Sequence, residues 1–233
     1  MTTEEGAVRM PRAMRQGGPV KNPSAPRLPS RLEPAEQCRD ALEDDAIVKR
    51  VAYVGTSFAG VHAEAFETEG CRFEGVRFSG AMIRQSQFSD SVLDTCDFAE
   101  LKASDVSLVR CAVSGSRVTG SSWKSSTFRD VRFEGGKADH ALFRECKFYS
   151  VAFEDVPMRG ADFQKSEMHN VRFTNCDLTG AQFAHLVPGS VRFENCTLAD
   201  VGGAASLRGV VVKGPGSMEL ALSLASEAGI VFE

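Results

Sequence analysis

The chain has 233 residues, with 31 Asp plus Glu against 27 Lys plus Arg, a net charge of −4 at pH 7 and 42% apolar side chains. No stretch approaches the ~18 consecutive apolar residues of a membrane span, and the N-terminal segment lacks the apolar core of a secretory signal, so a soluble, cytoplasmic chain with no membrane partner is expected. Charges of both signs are nearly balanced, so direct nucleic-acid binding is not expected.

Six of the nine prolines, Pro11, Pro19, Pro23, Pro26, Pro29 and Pro34, fall near the start of the chain among Arg9, Arg12, Arg15, Lys21, Arg27 and Arg31. Such a segment buries too little apolar surface to offset its ordering entropy, so residues 1–45 are expected to be a disordered tail. Residues 46–205 form the body, and its first pentads are degenerate. Tyr53 and Phe58 keep the phase described next, but Ala63 and Thr68 stand where large residues belong.

From Cys71 to Leu198 an apolar residue returns at every fifth position. The large centres are Phe73, Phe78, Phe88, Phe98, Trp123, Phe128, Phe133, Phe143, Phe148, Phe153, Phe163, Phe173, Phe183 and Phe193, with smaller apolar residues between them and one lapse at Pro188. Two residues ahead of each centre lies a small or β-branched residue, such as Cys71, Val76, Ser91, Ser116 or Cys146. A helix advances about 100° per residue, so a spacing of five would leave it no single buried face. In a strand, two inward positions flank one outward position, but five is odd, so the chain must turn once per pentad to return the next centre to the same side. The two residues after each centre carry that turn chemistry, as in Glu74-Gly75, Ser89-Asp90 and Thr174-Asn175. Similar short motifs recur at multiples of twenty: Arg72-Phe73-Glu74, Arg132-Phe133-Glu134, Arg172-Phe173-Thr174 and Arg192-Phe193-Glu194. Four pentads therefore make one coil, and the stretch from Tyr53 to Leu198 makes seven to eight coils, a rod on the order of 35 Å long.

Segments such as Ala161-Asp162-Phe163-Gln164-Lys165 and Cys176-Asp177-Leu178-Thr179-Gly180 resemble the motif of the pentapeptide repeat family. The resemblance covers most of the chain and implies an all-β fold, a right-handed quadrilateral β-helix. It also implies a non-enzymatic protein that binds or scaffolds a protein partner of unknown identity. Some members resemble B-form DNA and bind type II topoisomerases, which makes a DNA-mimic regulator the alternative. That role requires a strongly negative rod, whereas Cys71 to Asp200 carries seventeen acidic against sixteen basic residues.

Residues 206–233 read as a last strand and a capping α-helix from Ser217 to Ala228. Ser217 is the expected N-cap, Leu220, Ala221, Leu224, Ala225 and Ala228 the apolar face, and Gly229 the left-handed C-cap. The helix is expected to close the open end of the coil, and in some relatives C-terminal elements instead mediate dimerisation, so a homodimer is left open.

Chemistry-bearing residues give no catalytic or metal site. Six of the seven cysteines (Cys71, Cys96, Cys111, Cys146, Cys176 and Cys196) occupy the small inward position and are expected to be free thiols. The four histidines have no zinc spacing, and no cofactor is expected. Arg72, Arg132, Arg172 and Arg192 fall on one side beside Glu74, Asp94, Glu134, Glu154 and Glu194, and are expected to form exposed ion pairs. Pro188 at a centre is expected to bulge its strand outward, and Trp123 to fill the volume left by small neighbours at Ala103, Gly136 and Ala138.

Overall fold

A computed structural model describes residues 20–36 and 40–231. Short parallel strands stack in register twenty residues apart, so Phe133 lies on Phe153 and Phe153 on Phe173. The result is a right-handed quadrilateral β-helix of about nine turns ending in one C-terminal helix. Four columns of centres define its sides, named here by Phe73, Phe78, Ile83 and Phe88.

The corner is a local device. The second residue after each centre takes a positive φ, between 47° and 61° at non-glycine residues such as Gln85, Asp90, Asn170 and Ala65. One left-handed residue per pentad reverses the odd-number problem set by the spacing. Asn, Asp and Gly dominate these sites because they tolerate that conformation best. Turning also strands the N–H of the small inward residue, and a Ser one coil on accepts it. Ser91 Oγ accepts from Cys71 N (3.3 Å), Ser116 from Cys96 (3.0 Å) and Ser166 from Cys146 (2.9 Å). The hydroxyls in turn donate to a nearby carbonyl, as Ser91 does to Ser89 O (2.8 Å). Small polar residues in the interior are therefore backbone partners, not reactive groups.

All fourteen large centres are buried. Those that face each other across coils stack nearly parallel, with centroids 4.8 Å apart for Phe133–Phe153 and 5.5 Å for Phe163–Phe183, while rings from adjacent sides meet edge to face. Small and large exchange places in the degenerate first coil: Thr68 is the centre, and Phe66, normally the small position, fills the interior with an edge contact on Phe88 at 5.4 Å.

The N-terminal end is longer than the sequence pattern suggests. Glu33–Pro34 adds a parallel strand to Val51–Val54, and Val211–Lys213 adds one to Val191–Glu194. The final turn is one residue short, pairing Phe193 with Val212 after a 3-10 turn at Ala204–Ser206. Residues 20–36 thus do not match the expected disordered tail; residues 1–19 lie outside the described residues.

The C-terminal helix spans Gly216–Glu227, with Pro215 rather than Ser217 at its N-cap. Ser217 Oγ instead donates to Gly214 O (2.9 Å). The expected apolar face also needs correction, because the residues that face inward are Gly216, Leu220 and Ser223, while Leu224 is exposed. Carboxylates do much of the closing: Glu219 accepts from Leu198 N (2.5 Å), and Glu227 from Ala204 N and Ala205 N (2.8 and 3.0 Å). These are N–H groups of the last coil that have no further strand to meet. Gly229 (φ 79°) ends the helix with Ile230 N donating to Ala225 O, a Schellman closure.

Pro188 does not bulge. Met168 pairs with Pro188 in register, and Gly189 N still reaches Met168 O (2.6 Å). Elsewhere a centre's N–H donates to the coil above, as Phe163 N does to Gln182 O. Pro188 sits on the last strand of its side, where that donor has no acceptor strand, so its absence is tolerated.

Candidate interaction surface

Because the interior is filled, chemistry is confined to the outward positions: the residue before each centre and the two after it. Ion pairs climb the walls from coil to coil. Asp97 accepts two bonds from the Arg117 guanidinium (2.9 and 2.8 Å), Asp90 two from Arg110 (2.7 and 2.6 Å), and Arg144 meets Asp162 at 2.6 Å. On the Phe73 side Glu154 bridges Arg132 and Arg172, and Arg192 pairs with Glu194 at 3.2 Å. The four arginines do not form a continuous stripe. Val92, Ala112 and Ala152 stand between Arg72, Arg132 and Arg172 in the ladder, and only Arg172 and Arg192 are direct neighbours.

Exposed pairs of this kind contribute ~0 to 1 kcal/mol each. Asp162, with a side chain only 5% exposed, and Asp90, at 12%, differ from these. The Arg110 guanidinium holds the Asp90 carboxyl below the ordinary value, against the opposing effect of burial. A depressed native pKa stabilises the fold above the unfolded value, near ~3.9, and that contribution disappears as pH falls through the native value. Wild type should therefore be more stable than Asp90→Asn at pH 6, with the gap closing below about pH 4 in urea titrations. A gap that is constant with pH contradicts the assignment.

The described cysteines are free and buried. Burial pushes the thiols of Cys96, Cys111 and Cys146 up to about 12, which keeps them protonated and unreactive. Native protein at pH 8 should leave these three thiols unlabelled by DTNB until denaturant is added; rapid labelling of any of them would show that the core opens.

Trp123 is buried, 5.6 Å from the Phe128 ring and 6.1 Å from Phe98, with its indole N–H donated to Ser121 Oγ (2.9 Å). A void of about 10 Å³ lined by Val118, Trp123, Phe133 and other core side chains remains beside it, and a second of about 10 Å³ lies by Ser116 and Ala138. The smallness of Ala103 and Ala138 is thus almost wholly compensated.

One corner carries an arrangement that the pentad pattern did not reveal. Residues 20–29 run lengthwise along the corner between the Phe88 and Phe73 sides, against the direction in which the coils grow. Lys21 N donates to Asn170 Oδ1 (2.7 Å), Ser24 N to Asp130 Oδ1 (3.0 Å) and Arg27 N to Asp90 Oδ1 (3.1 Å). Asn170 returns a bond to Lys21 O (3.1 Å), and Arg172 reaches Asn22 Oδ1 (2.8 Å). Nearby, Arg129 stacks over Tyr149 at 5.1 Å and Tyr149 over His169 at 5.4 Å, an outward aromatic ladder on the Phe88 side. The signal was present in the sequence as a period of three, Val20-Pro23-Pro26-Pro29, and a period of forty, Asp90-Asp130-Asn170. Neither period follows from the pentad.

Residues 126–202 match the family model described as a pentapeptide repeat region. This part of the chain is a pentapeptide repeat region. The geometry extends the same corners and ladders well beyond that segment, from Val48 onward. Among solved structures it is similar to a trypsin-treated variant of QnrB1, a plasmid-mediated fluoroquinolone resistance protein, at 16% identity and a TM-score of 0.58, over 86% of this chain and 96% of that one. Full-length QnrB1 is similar at 17% identity and a TM-score of 0.55, over 85% and 95%. At these identities the likeness is one of fold. A comparison with curated proteins finds no match. Among the described residues, no helix is long and apolar enough to cross a membrane.

Proposed function

We propose that the protein is a non-enzymatic pentapeptide repeat scaffold whose rigid outer walls bind another protein. The observation that carries the reading is the stitched wall. Cross-coil ion pairs such as Asp97–Arg117 and the Arg132–Glu154–Arg172 bridge fix outward side chains on a frame whose core is packed with stacked rings. Preorganised side chains on an extended solenoid lose little entropy when they meet a partner. Affinity capture with the full chain, compared with a variant in which Arg132 and Arg172 are both changed to Glu, tests this. A partner retained by wild type and lost by the variant supports the reading, and no specific partner for either counts against it.

The alternative is a DNA mimic that regulates a type II topoisomerase, as the family resemblance suggests. Mimicry needs one wall of uncompensated negative charge. On the Phe73 side Glu134, Glu154 and Glu194 pair with arginines of the same wall. The balanced wall favours the scaffold. Supercoiling by gyrase in the presence of micromolar purified protein separates the two, since inhibition or protection from a quinolone would select the mimic.

A further inference from the structure

The segment lying along the Asp90–Asp130–Asn170 corner has a register of its own. Val20, Pro23, Pro26, Pro29 and Leu32 are partly buried at every third position, with Leu28 partly buried between two of them, whereas Lys21, Asn22, Ser24, Ala25 and Arg27 are exposed. One inward residue in three is the face of a polyproline II helix, which advances ~3.1 Å per residue. Three such residues cover ~9.3 Å, and two coils of a β-solenoid cover ~9.6 Å. The two periods are commensurate. The donors at Lys21, Ser24 and Arg27 accordingly meet acceptors on every second coil, at Asn170, Asp130 and Asp90.

The intervening coils are prepared for this. Arg110 is drawn onto Asp90, and Ser150 Oγ accepts from Asn170 Nδ2 (2.9 Å), so each orients an acceptor instead of obstructing the path. Gly70 leaves room for Pro29, whose Cδ would lie 3.2 Å from a Cβ at that position. After Pro29 the chain bends at Ser30 and enters the ladder through Glu33–Pro34. The recognition reads main-chain donors and ring contacts and demands few particular side chains from its occupant. Those hydrogen bonds are solvent-exposed or only partly buried, and the coil ladders beneath are complete without them.

We propose that this corner is a docking groove for an extended, proline-spaced peptide segment of a partner protein, and that residues 20–32 occupy it as an internal competitor. The proposal deepens the scaffold reading by naming the chemistry that one corner accepts: a polyproline II segment with an apolar or proline residue at every third position and a free N–H one residue after it. A covalently attached occupant of modest intrinsic strength is displaced only by a segment that binds more tightly or is presented at high local concentration.

Ser24→Pro with Arg27→Pro in the full chain tests this, because proline keeps the extended conformation while deleting two donors. A fluorescent peptide of residues 19–35 serves as the probe. It should bind the double variant about ten-fold more tightly than wild type, consistent with loss of one to two hydrogen bonds from the internal competitor. A peptide with Ala at Pro23, Pro26 and Pro29 should bind at least about ten-fold more weakly. Adding Asp130→Ala to the double variant should weaken binding of the native peptide. In the unmodified chain, amide exchange should protect Lys21, Ser24 and Arg27 and leave Asn22, Ala25 and Leu28 fast. Equal peptide affinity for wild type and double variant, insensitivity to Asp130→Ala, or uniform exchange across residues 21–28 overturns the groove. Partner capture that survives in the Asp130→Ala variant together with any of these results removes the groove while leaving the scaffold reading in place.

Discussion

Trp123→Ala should lose about 3 to 5 kcal/mol of stability, as large-to-small changes at fully buried aromatic sites do. The indole spans the part of the interior where neighbouring centres are smallest. Its removal deletes the ring contacts with Phe98 and Phe128 and merges its volume with the adjoining void of about 10 Å³. It also leaves Ser121 Oγ with one fewer partner in a site where water has little access. Because Trp123 is the sole tryptophan, the comparison is made by circular dichroism in denaturant, with Trp123→Phe as the control that keeps a ring but not the N–H. The midpoint should fall sharply for Ala and modestly for Phe, with an unchanged slope. An Ala variant as stable as wild type would show that the ring fills no necessary volume.

Gly136→Ala is expected to be comparably damaging for a different reason. Gly135 and Gly136 both have positive φ (64° and 77°), the only place in the coil where a small inward position is left-handed as well as its corner. A Cβ on Gly136 would stand 2.0 Å from Ser116 O and 2.7 Å from Ser116 N, atoms of the ladder itself that cannot swing aside. Ser116 O also accepts from Lys137 N (3.0 Å), so relief of the clash breaks a cross-coil bond. Combined overpacking and left-handed strain should cost about 3 kcal/mol or more. Gly135→Ala provides the internal comparison, since nothing lies within 4 Å of its added Cβ. It should lose only about 1 to 2 kcal/mol, the ordinary price of a left-handed alanine. Equal losses at the two positions would mean that backbone conformation, not the close approach to Ser116, governs this corner.

Much of the fold was legible because the interior imposes the same demand on every pentad. Phe73 through Phe193 announce one inward face, and Asp90 or Asn175 after a centre announces the turn. The first coil was harder to read because it solves the same volume problem in reverse, with Phe66 large where Thr68 is small. The C-terminal helix was legible as a helix from its alternation of Leu and Ala. Its orientation was not, since that depends on where the last coil leaves N–H groups unpaired, and Glu219 and Glu227 turn toward those groups at the expense of Leu224. The segment from Val20 to Leu32 was misread for a physical reason. Composition measures how much apolar surface a segment can bury by itself, and these prolines bury theirs on a surface already built by residues up to 150 positions away. The interaction surface was legible only as a list of charges; which of them neutralise one another is set by the twenty-residue register.

A solenoid built from near-identical turns is a one-dimensional chain of neighbours, and such chains melt from their tips inward because no turn feels any but the next. The lengthwise segment changes that connectivity. By holding Asn170 and, through Glu33, the carbonyl of Arg50 at the same time, it links turns that share no ladder, so loosening near one tip is transmitted to the opposite one. Release of a segment of barely a dozen residues would thereby shift the molecule from all-or-none melting toward progressive fraying.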